Sequence, residues 1–180
     1  MQFYSNYLKQ LSDYIQNINH DDLNSATLLV EDTKKNKGKV IVVGNGGSAA
    51  MASHVSVDFT KAAKTRSINF NEADLITCFA NDYGYENWVI EALRAYADPN
   101  DLIILISSSG QSDNIVNAAK LTQSMGMKLI TLSGFSESNP LRKLGDVNLW
   151  IDSENYNFIE MTHHIWLLAI VDHVISRQED

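Results

Sequence analysis

Residues 102–114, LIILISSSGQSDN, are the stretch on which the fold reading turns. The apolar run 102–106 stops abruptly at three serines, then a glycine, a glutamine and a fourth serine, and an amphipathic pattern follows at once. That is a buried strand emptying into a hydroxyl-lined turn at a helix N-terminus. The first N–H groups of a helix have no partner within it and carry partial positive charge, so anions gather at that end. Ser107, Ser108, Ser109 and Ser112, with Gln111 among them, suit the three oxygens of a terminal phosphate. They suit a hydride-transfer cofactor or a metal ion less well.

On either side of this stretch, strand and helix patterns alternate. Short strands are predicted at 40–43, 67–70, 102–106, 128–132 and 147–151, and helices at 48–61, 74–81, 85–96, 112–125 and 156–177. Such alternation gives an α/β fold with a parallel sheet covered on both faces. Ligands of these sheets sit at the carboxyl ends of the strands, where the polar loops are GNGGS (44–48), NEAD (71–74) and SSSGQS (107–112). Two helices precede the sheet. Tyr4, Leu8, Leu11, Tyr14, Ile15 and Ile18 recur at helical steps, and a second pattern over 22–35 puts Leu23, Ala26, Leu29 and Val30 on one face before a cationic end and Gly38. They read as a dimer or tetramer face rather than as a layer on the sheet. The chain reads as a single domain, with 1–36 the leading helices and 38–180 the α/β core.

The chain has 180 residues, is 44 % hydrophobic and carries a net charge of −8 with a pI of about 5.0, which suits one globular core. No basic stripe is present, so no nucleic-acid partner is expected. A single cysteine, Cys78, allows no internal disulfide and no zinc-type cysteine pair, which favours a reducing cytoplasm. The opening MQFYSNYLKQ is too polar for a signal peptide, and no apolar run reads as reaching the ~20 residues that cross a bilayer. No membrane partner is expected. The closing Arg177-Gln178-Glu179-Asp180 reads as a solvated end, Trp150 and the Trp166, Leu167, Ala169, Ile170 group as core or subunit contact, and His20 and His173 as ordinary packing.

GNGGS follows a strand and opens a helix, and its glycines let the backbone turn sharply and approach a ligand. Gly44, Gly46 and Ala49 also fit the G-x-G-x-x-G/A dinucleotide pattern, with Glu72 near the place of its acidic ribose ligand. A dinucleotide site has no need of a second phosphate loop. A sugar phosphate uses both loops, one for the phosphate and one for the hydroxyls. On that reading Asn45, Gly46, Gly47 and Ser48 face the sugar, and no nucleotide cofactor is expected. Asn71, Glu72, Asn81 and Asp82 are further polar candidates from the segment between; Glu72 is a second candidate base or, equally, a helix cap.

VVGNGGSAAMASH (42–54), FANDYGY (79–85) and ISSSGQSDNIVNAAK (106–120), spaced as they are, resemble the sugar isomerase (SIS) domain family in its phosphoheptose isomerase branch, over essentially the whole chain. The resemblance implies a three-layer, flavodoxin-like sandwich with a five-stranded parallel sheet. It also implies a homo-oligomer, usually a tetramer with active sites at subunit boundaries. The reaction it implies converts sedoheptulose 7-phosphate to a 7-phosphorylated heptose for surface polysaccharide synthesis. Carried over by motif, Ser107, Ser108, Ser109 and Ser112 would hold the phosphate, and Asn45, Ser48 and Asp82 would contact the sugar or order the site.

Aldose–ketose isomerisation through an enediol needs a base to move a proton between neighbouring carbons and an acid or a metal to polarise the carbonyl. Many members of the branch carry a His and a Glu four apart after GNGGS, and a Gln and a His eight apart on the last helix. Those four can gather zinc. Here His54 and Asp58 are four apart and share a helical face, with Asp for Glu. On the last helix Glu160 stands at the Gln position and Leu168 at the His position, and leucine can neither ligate nor carry a proton. His163 and His164 lie three and four residues beyond Glu160. Asp58, Glu160, His163 and His164 are therefore the catalytic candidates. His54, Asp58 and Glu160 are the candidate donors to zinc or another divalent ion. The expected function is a phosphosugar isomerase. Leu168 favours an alternative, a phosphosugar-binding module without catalysis; an isomerase for a different sugar phosphate is a third.

Overall fold

The computed structural model describes residues 2–178; Glu179 and Asp180, read above as part of a solvated end, lie outside the described residues. Strands β1 (Val40–Gly44), β2 (Ser67–Ile68), β3 (Leu102–Ser107), β4 (Lys128–Ser133) and β5 (Val147–Trp150) form one sheet in the order β2-β1-β3-β4-β5. All pairings are parallel. Every residue of β1 and β3 is buried. Continuous apolar runs replace the alternation of a half-exposed strand because both faces of the sheet are covered.

Successive side chains feed two cores. Val40, Val42, Leu102, Ile104 and Ile106 pack with helices α2 (His20–Lys35), α3 (Gly47–Lys61) and α7 (Tyr156–Ser176). Ile41, Val43, Ile103 and Leu105 pack with α5 (Trp88–Tyr96) and α6 (Asp113–Ser124), and α4 (Ala73–Tyr83) leans on them from the edge. The result is the expected three-layer, flavodoxin-like sandwich. In this strand order the chain reverses direction of travel across the sheet between β1 and β3, and ligands sit in the crevice outside their carboxyl ends. GNGGS and SSSGQS are the loops that leave those two strands.

The structure departs from the sequence reading in several places. Helix α5 begins at Trp88, not at 85, because Gly84 takes φ +84° and residues 85–87 form a turn. The second strand stops at Ile68, where the Asn69 side chain accepts a hydrogen bond from the Asn71 N–H and bends the chain away. A 3-10 turn, Leu141–Lys143, follows Pro140 unforeseen. Helix α2 is a layer on the sheet after all, since it buries Ala26, Thr27, Val30 and Thr33. Helix α1 (Gln2–Gln16) buries no residue; Tyr7 and Tyr14 lie on Phe158 while Phe3, Tyr4 and Leu8 stay exposed. By length and composition α7 is apolar enough to cross a bilayer, contrary to the sequence reading. Here its Phe158, Ile159, Trp166, Leu167, Ile170 and Val174 are buried against the protein's own core, and Ala169 is exposed.

Candidate active site

Between the carboxyl ends of β1 and β3 lies a cleft of about 120 Å³. Its floor is Ile106 with Ser107, Ser108, Ser109 and Ser112; Asn45 and Ser48 form one wall, Tyr156 and Glu160 of α7 the other. Pockets for larger ligands run to roughly 300 Å³ and more. This cleft therefore has room for a small group of about the size of a phosphate.

The serine-lined end is built by the turn into α6. Ser112 is the N-cap of α6 with extended backbone, yet its side chain caps nothing. Its hydroxyl instead meets that of Ser107 at 2.9 Å. The first N–H groups of α6 are thus left for an anion, with hydroxyls gathered beside them. Gly110 makes the sharp corner: it has φ +66°, and a side chain there would strike Asn139. Asn139 is 2 % exposed and braces the turn by donating to Ser133 Oγ and to the carbonyls of Gly134 and Ser136.

GNGGS builds the opposite wall. Gly46 has φ +54° and ψ −120°, a conformation that side chains disfavour, and it admits the tight entry into α3. Asn45 is held by three hydrogen bonds. Its Nδ2 donates to Asn114 Oδ1 at 3.0 Å, while Asn114 Nδ2 and the Tyr85 hydroxyl donate to its Oδ1 at 2.9 and 3.0 Å. Gly47 matters for another reason. A methyl group on it would collide with the Glu160 carboxylate, so that carboxylate rests directly on the first turn of α3. Among the described residues, none donates a hydrogen bond to Glu160. A half-buried carboxylate without a fixed partner, beside an anion cradle, is placed to take a proton.

One turn along α7, His164 Nε2 meets His54 Nδ1 at 2.9 Å, and His54 Nε2 lies 3.3 Å from Asp58 Oδ2. A carboxylate only accepts, so with both imidazoles neutral the tautomers follow. His54 donates from Nε2 to Asp58, His164 donates from Nε2 to His54, and His164 keeps a free lone pair on Nδ1. Partial burial, and then the neighbouring His54, hold His164 below the usual histidine range, against a smaller opposing pull from Asp58.

The structure brings together Asn45, Ser48, Ser107, Ser108, Ser109, Ser112 and Glu160, as the sequence predicts. Gly46 and Gly47 shape the wall. Four expectations need correction. His163 is wholly buried, and its Nε2 donates to the Ser133 carbonyl at 3.1 Å, so it belongs to the core and not to the cleft. Burial lowers its pKa to about 4, with the Ser133 hydrogen bond opposing. Asp82 is exposed on α4, where its carboxylate accepts from Asn81 and Cys78 and does not reach the cleft. Gln111 is exposed; it serves through its backbone N–H, which donates to Ser109 Oγ. The donors His54, Asp58 and Glu160 do not converge in one chain. His54 turns opposite ring nitrogens to its two partners, Glu160 sits at Gly47, and no three His, Cys, Asp or Glu among the described residues could hold a metal ion. Of the remaining candidates, Asn71 ties its loop to Ala49 and Ser53, and Glu72 occupies the N-cap of α4 without a side-chain capping bond. Leu168 packs against the core.

Tyr156, Asn114 and Tyr85 escaped the sequence reading. Tyr156 precedes Glu160 by four residues, and that spacing on one helix face is a signal that finds it. Asn114 and Tyr85 give no such signal, because their partner, Asn45, is 69 and 40 residues away.

The SIS domain family matches residues 3–134. A phosphoheptose isomerase of Aliarcobacter butzleri is 32 % identical over 165 residues, covering 87 % of this chain and 87 % of its own. One from Buchnera aphidicola subsp. Schizaphis graminum is 30 % identical, covering 95 % of this chain and 91 % of its own. The structure of a phosphoheptose isomerase from Neisseria gonorrhoeae superposes with a TM-score of 0.87 at 25 % identity, over 96 % of this chain and 97 % of the other.

Proposed function

This chain belongs to the SIS domain family and, within it, to the phosphoheptose isomerases, and we propose that it interconverts the ketose and aldose forms of a phosphorylated sugar, sedoheptulose 7-phosphate foremost. One observation carries the reading. The Glu160 carboxylate and the serine turn at the N-terminus of α6 line the same cleft.

The phosphate is bound by the Ser107–Ser112 turn and the free N–H groups of α6. Glu160 takes the proton from C1 of the ketose. The C–H electron pair becomes the C1–C2 double bond, and the carbonyl electrons move to O2, which gains a proton. The enediol then gives up its O1 proton as C1 becomes a carbonyl, and Glu160 returns a proton to C2. His164 stands one turn beyond Glu160 on α7, outside the cleft lining, and its free Nδ1, set by His54 and Asp58, relays the oxygen-bound protons at the outer end of the ligand. Assembly of copies into a dimer or tetramer would cover the exposed Phe3, Tyr4 and Leu8 of α1. Action in the cytoplasm, supplying a heptose for surface polysaccharide, follows from the same reading. Leu168 supports a second one, in which the domain binds the phosphosugar without converting it.

The test is incubation with sedoheptulose 7-phosphate in deuterated water, with and without added zinc, while deuterium beside the carbonyl is followed. Exchange and aldose product are expected. Binding of the sugar phosphate with neither would establish the non-catalytic reading.

A further inference from the structure

We propose that Asn114 and Tyr85 are positioning residues that fix which end of the Asn45 amide meets the sugar, so that Asn45 presents a hydrogen-bond donor and never an acceptor. The proposal rests on the reading of the cleft as a sugar-phosphate site.

A primary amide has two donor hydrogens and one oxygen with two lone pairs. The Asn45 oxygen is fully occupied, since it accepts from Asn114 Nδ2 at 2.9 Å and from the Tyr85 hydroxyl at 3.0 Å. One Nδ2 hydrogen goes to Asn114 Oδ1 at 3.0 Å. The other has no partner among the described residues, and it belongs to a side chain that lines the cleft. Were the amide turned over, both hydrogens would go to Asn114 and Tyr85, and a lone pair would face the ligand instead. The head-to-tail pair with Asn114 and the Tyr85 hydroxyl together select the first arrangement. Asn114 is 2 % exposed, so its half of the pair is shielded from competing water.

The chemical consequence is specific. A fixed donor stabilises an oxygen on which negative charge grows, as the carbonyl oxygen does during enolisation. The pair also joins the two ligand loops. Asn114 stands in the first turn of α6, beside the phosphate cradle, and Asn45 in the loop that opens α3. It thereby fixes the spacing between the phosphate and this donor, which is a length requirement on the sugar.

Tyr85→Phe and Asn114→Leu test the assignment in the full-length protein, with sedoheptulose 7-phosphate and inorganic phosphate as parallel ligands. Tyr85 is 54 % exposed, so its hydroxyl can be removed without touching the core. Losing that one hydrogen bond is expected to lower kcat and the ratio of sugar-phosphate to inorganic-phosphate affinity about three- to tenfold. Asn114→Leu frees the amide entirely, and a loss of about a hundredfold in kcat is expected. Affinity for inorganic phosphate should hold within about twofold in Tyr85→Phe, because the serine turn is untouched. Equal loss of both ligands, or an unchanged ratio with unchanged kcat in Tyr85→Phe, overturns the proposal whatever Asn114→Leu does to folding. A wild-type chain that binds the sugar phosphate without exchanging deuterium counts against the isomerase reading alone, and the affinity ratio then decides this one.

Discussion

The two ends of the cleft are built in different ways. The phosphate end is made by one continuous segment, a buried strand that turns at Gly110 into α6, with Ser107 and Ser108 only 4 % and 6 % exposed. Its donors are backbone N–H groups and short hydroxyls that have almost no freedom to move. The acid–base end is assembled from distant segments. Glu160 of α7 reaches Gly47 of α3, and His164 of α7 reaches the half-exposed His54 of α3. Binding of an anion needs only a rigid local shape, whereas moving a proton needs groups brought together from separate elements. The first therefore depends on one segment of the chain, and the second on contacts between α3 and α7.

Replacing Glu160 with glutamine separates the ends most sharply. The amide keeps the shape but takes no proton, so kcat should fall about 10²- to 10⁴-fold. Calorimetry should find sugar-phosphate affinity nearly unchanged, and the melting temperature should stay put, since none of the described residues donates a hydrogen bond to Glu160. A kcat within tenfold of wild type would move the base to another residue, with His164 next to be tested. Gly47→Ala probes the same contact from the α3 side. The added methyl meets only the flexible end of Glu160, so turnover should drop while stability holds.

How far these features could be read in advance follows the same division. The phosphate end was legible because strand, serines, Gly110 and helix start are contiguous, and both cores were legible in the unbroken apolar runs of β1 and β3. Glu160 was found by its place in the motif. Its contact with Gly47 was not, since a separation of 113 residues leaves no periodic trace. His163 and His164 look alike in sequence. Only the packing of α7 decides that one faces the Ser133 carbonyl and the other His54. The α7 pattern is too apolar all round for an amphipathic stripe to tell its faces apart.

That pair of adjacent histidines gives the next prediction. His163 is fully buried with a pKa of about 4 against an ordinary 6.5, and its Nδ1 has no partner among the described residues. Its neutral form is the one that folds. The unfolded chain binds a proton below about pH 6.5 and the folded chain does not until about pH 4, so stability from this group is complete above pH 6.5 and lost as pH falls towards 4. The full amount is roughly 3 kcal/mol. Denaturant melts at pH 7 and pH 4.5 should show it, and His163→Gln, which can still donate to Ser133, should lose less stability over that range. Equal pH dependence in the variant would assign the acid sensitivity to other groups, such as the Lys39–Asp98 and Lys128–Asp146 pairs, where the lysine hydrogen bond holds Asp98 and, against burial, Asp146 below the usual carboxylate range.

The smallest expected effect falls on the rigid end. Ser112→Ala removes a hydroxyl that bonds Ser107 and leaves the N-terminus of α6 without its polar edge, but no capping bond is lost because none is made. Stability should therefore change by less than the ~1 kcal/mol usual for an N-cap serine. A hydrogen bond to a charged oxygen contributes about 1.5–3 kcal/mol, so phosphosugar affinity should fall roughly ten- to a hundredfold. Inorganic phosphate should weaken by the same factor, in contrast to Tyr85→Phe, where it should not. If Ser112→Ala spares both ligands, the anion lies elsewhere and the α6 turn is only a turn. If it weakens both equally while kcat for bound substrate is retained, the serines hold the ligand and take no part in moving its protons, and the two ends of the cleft are separable in function as they are in construction.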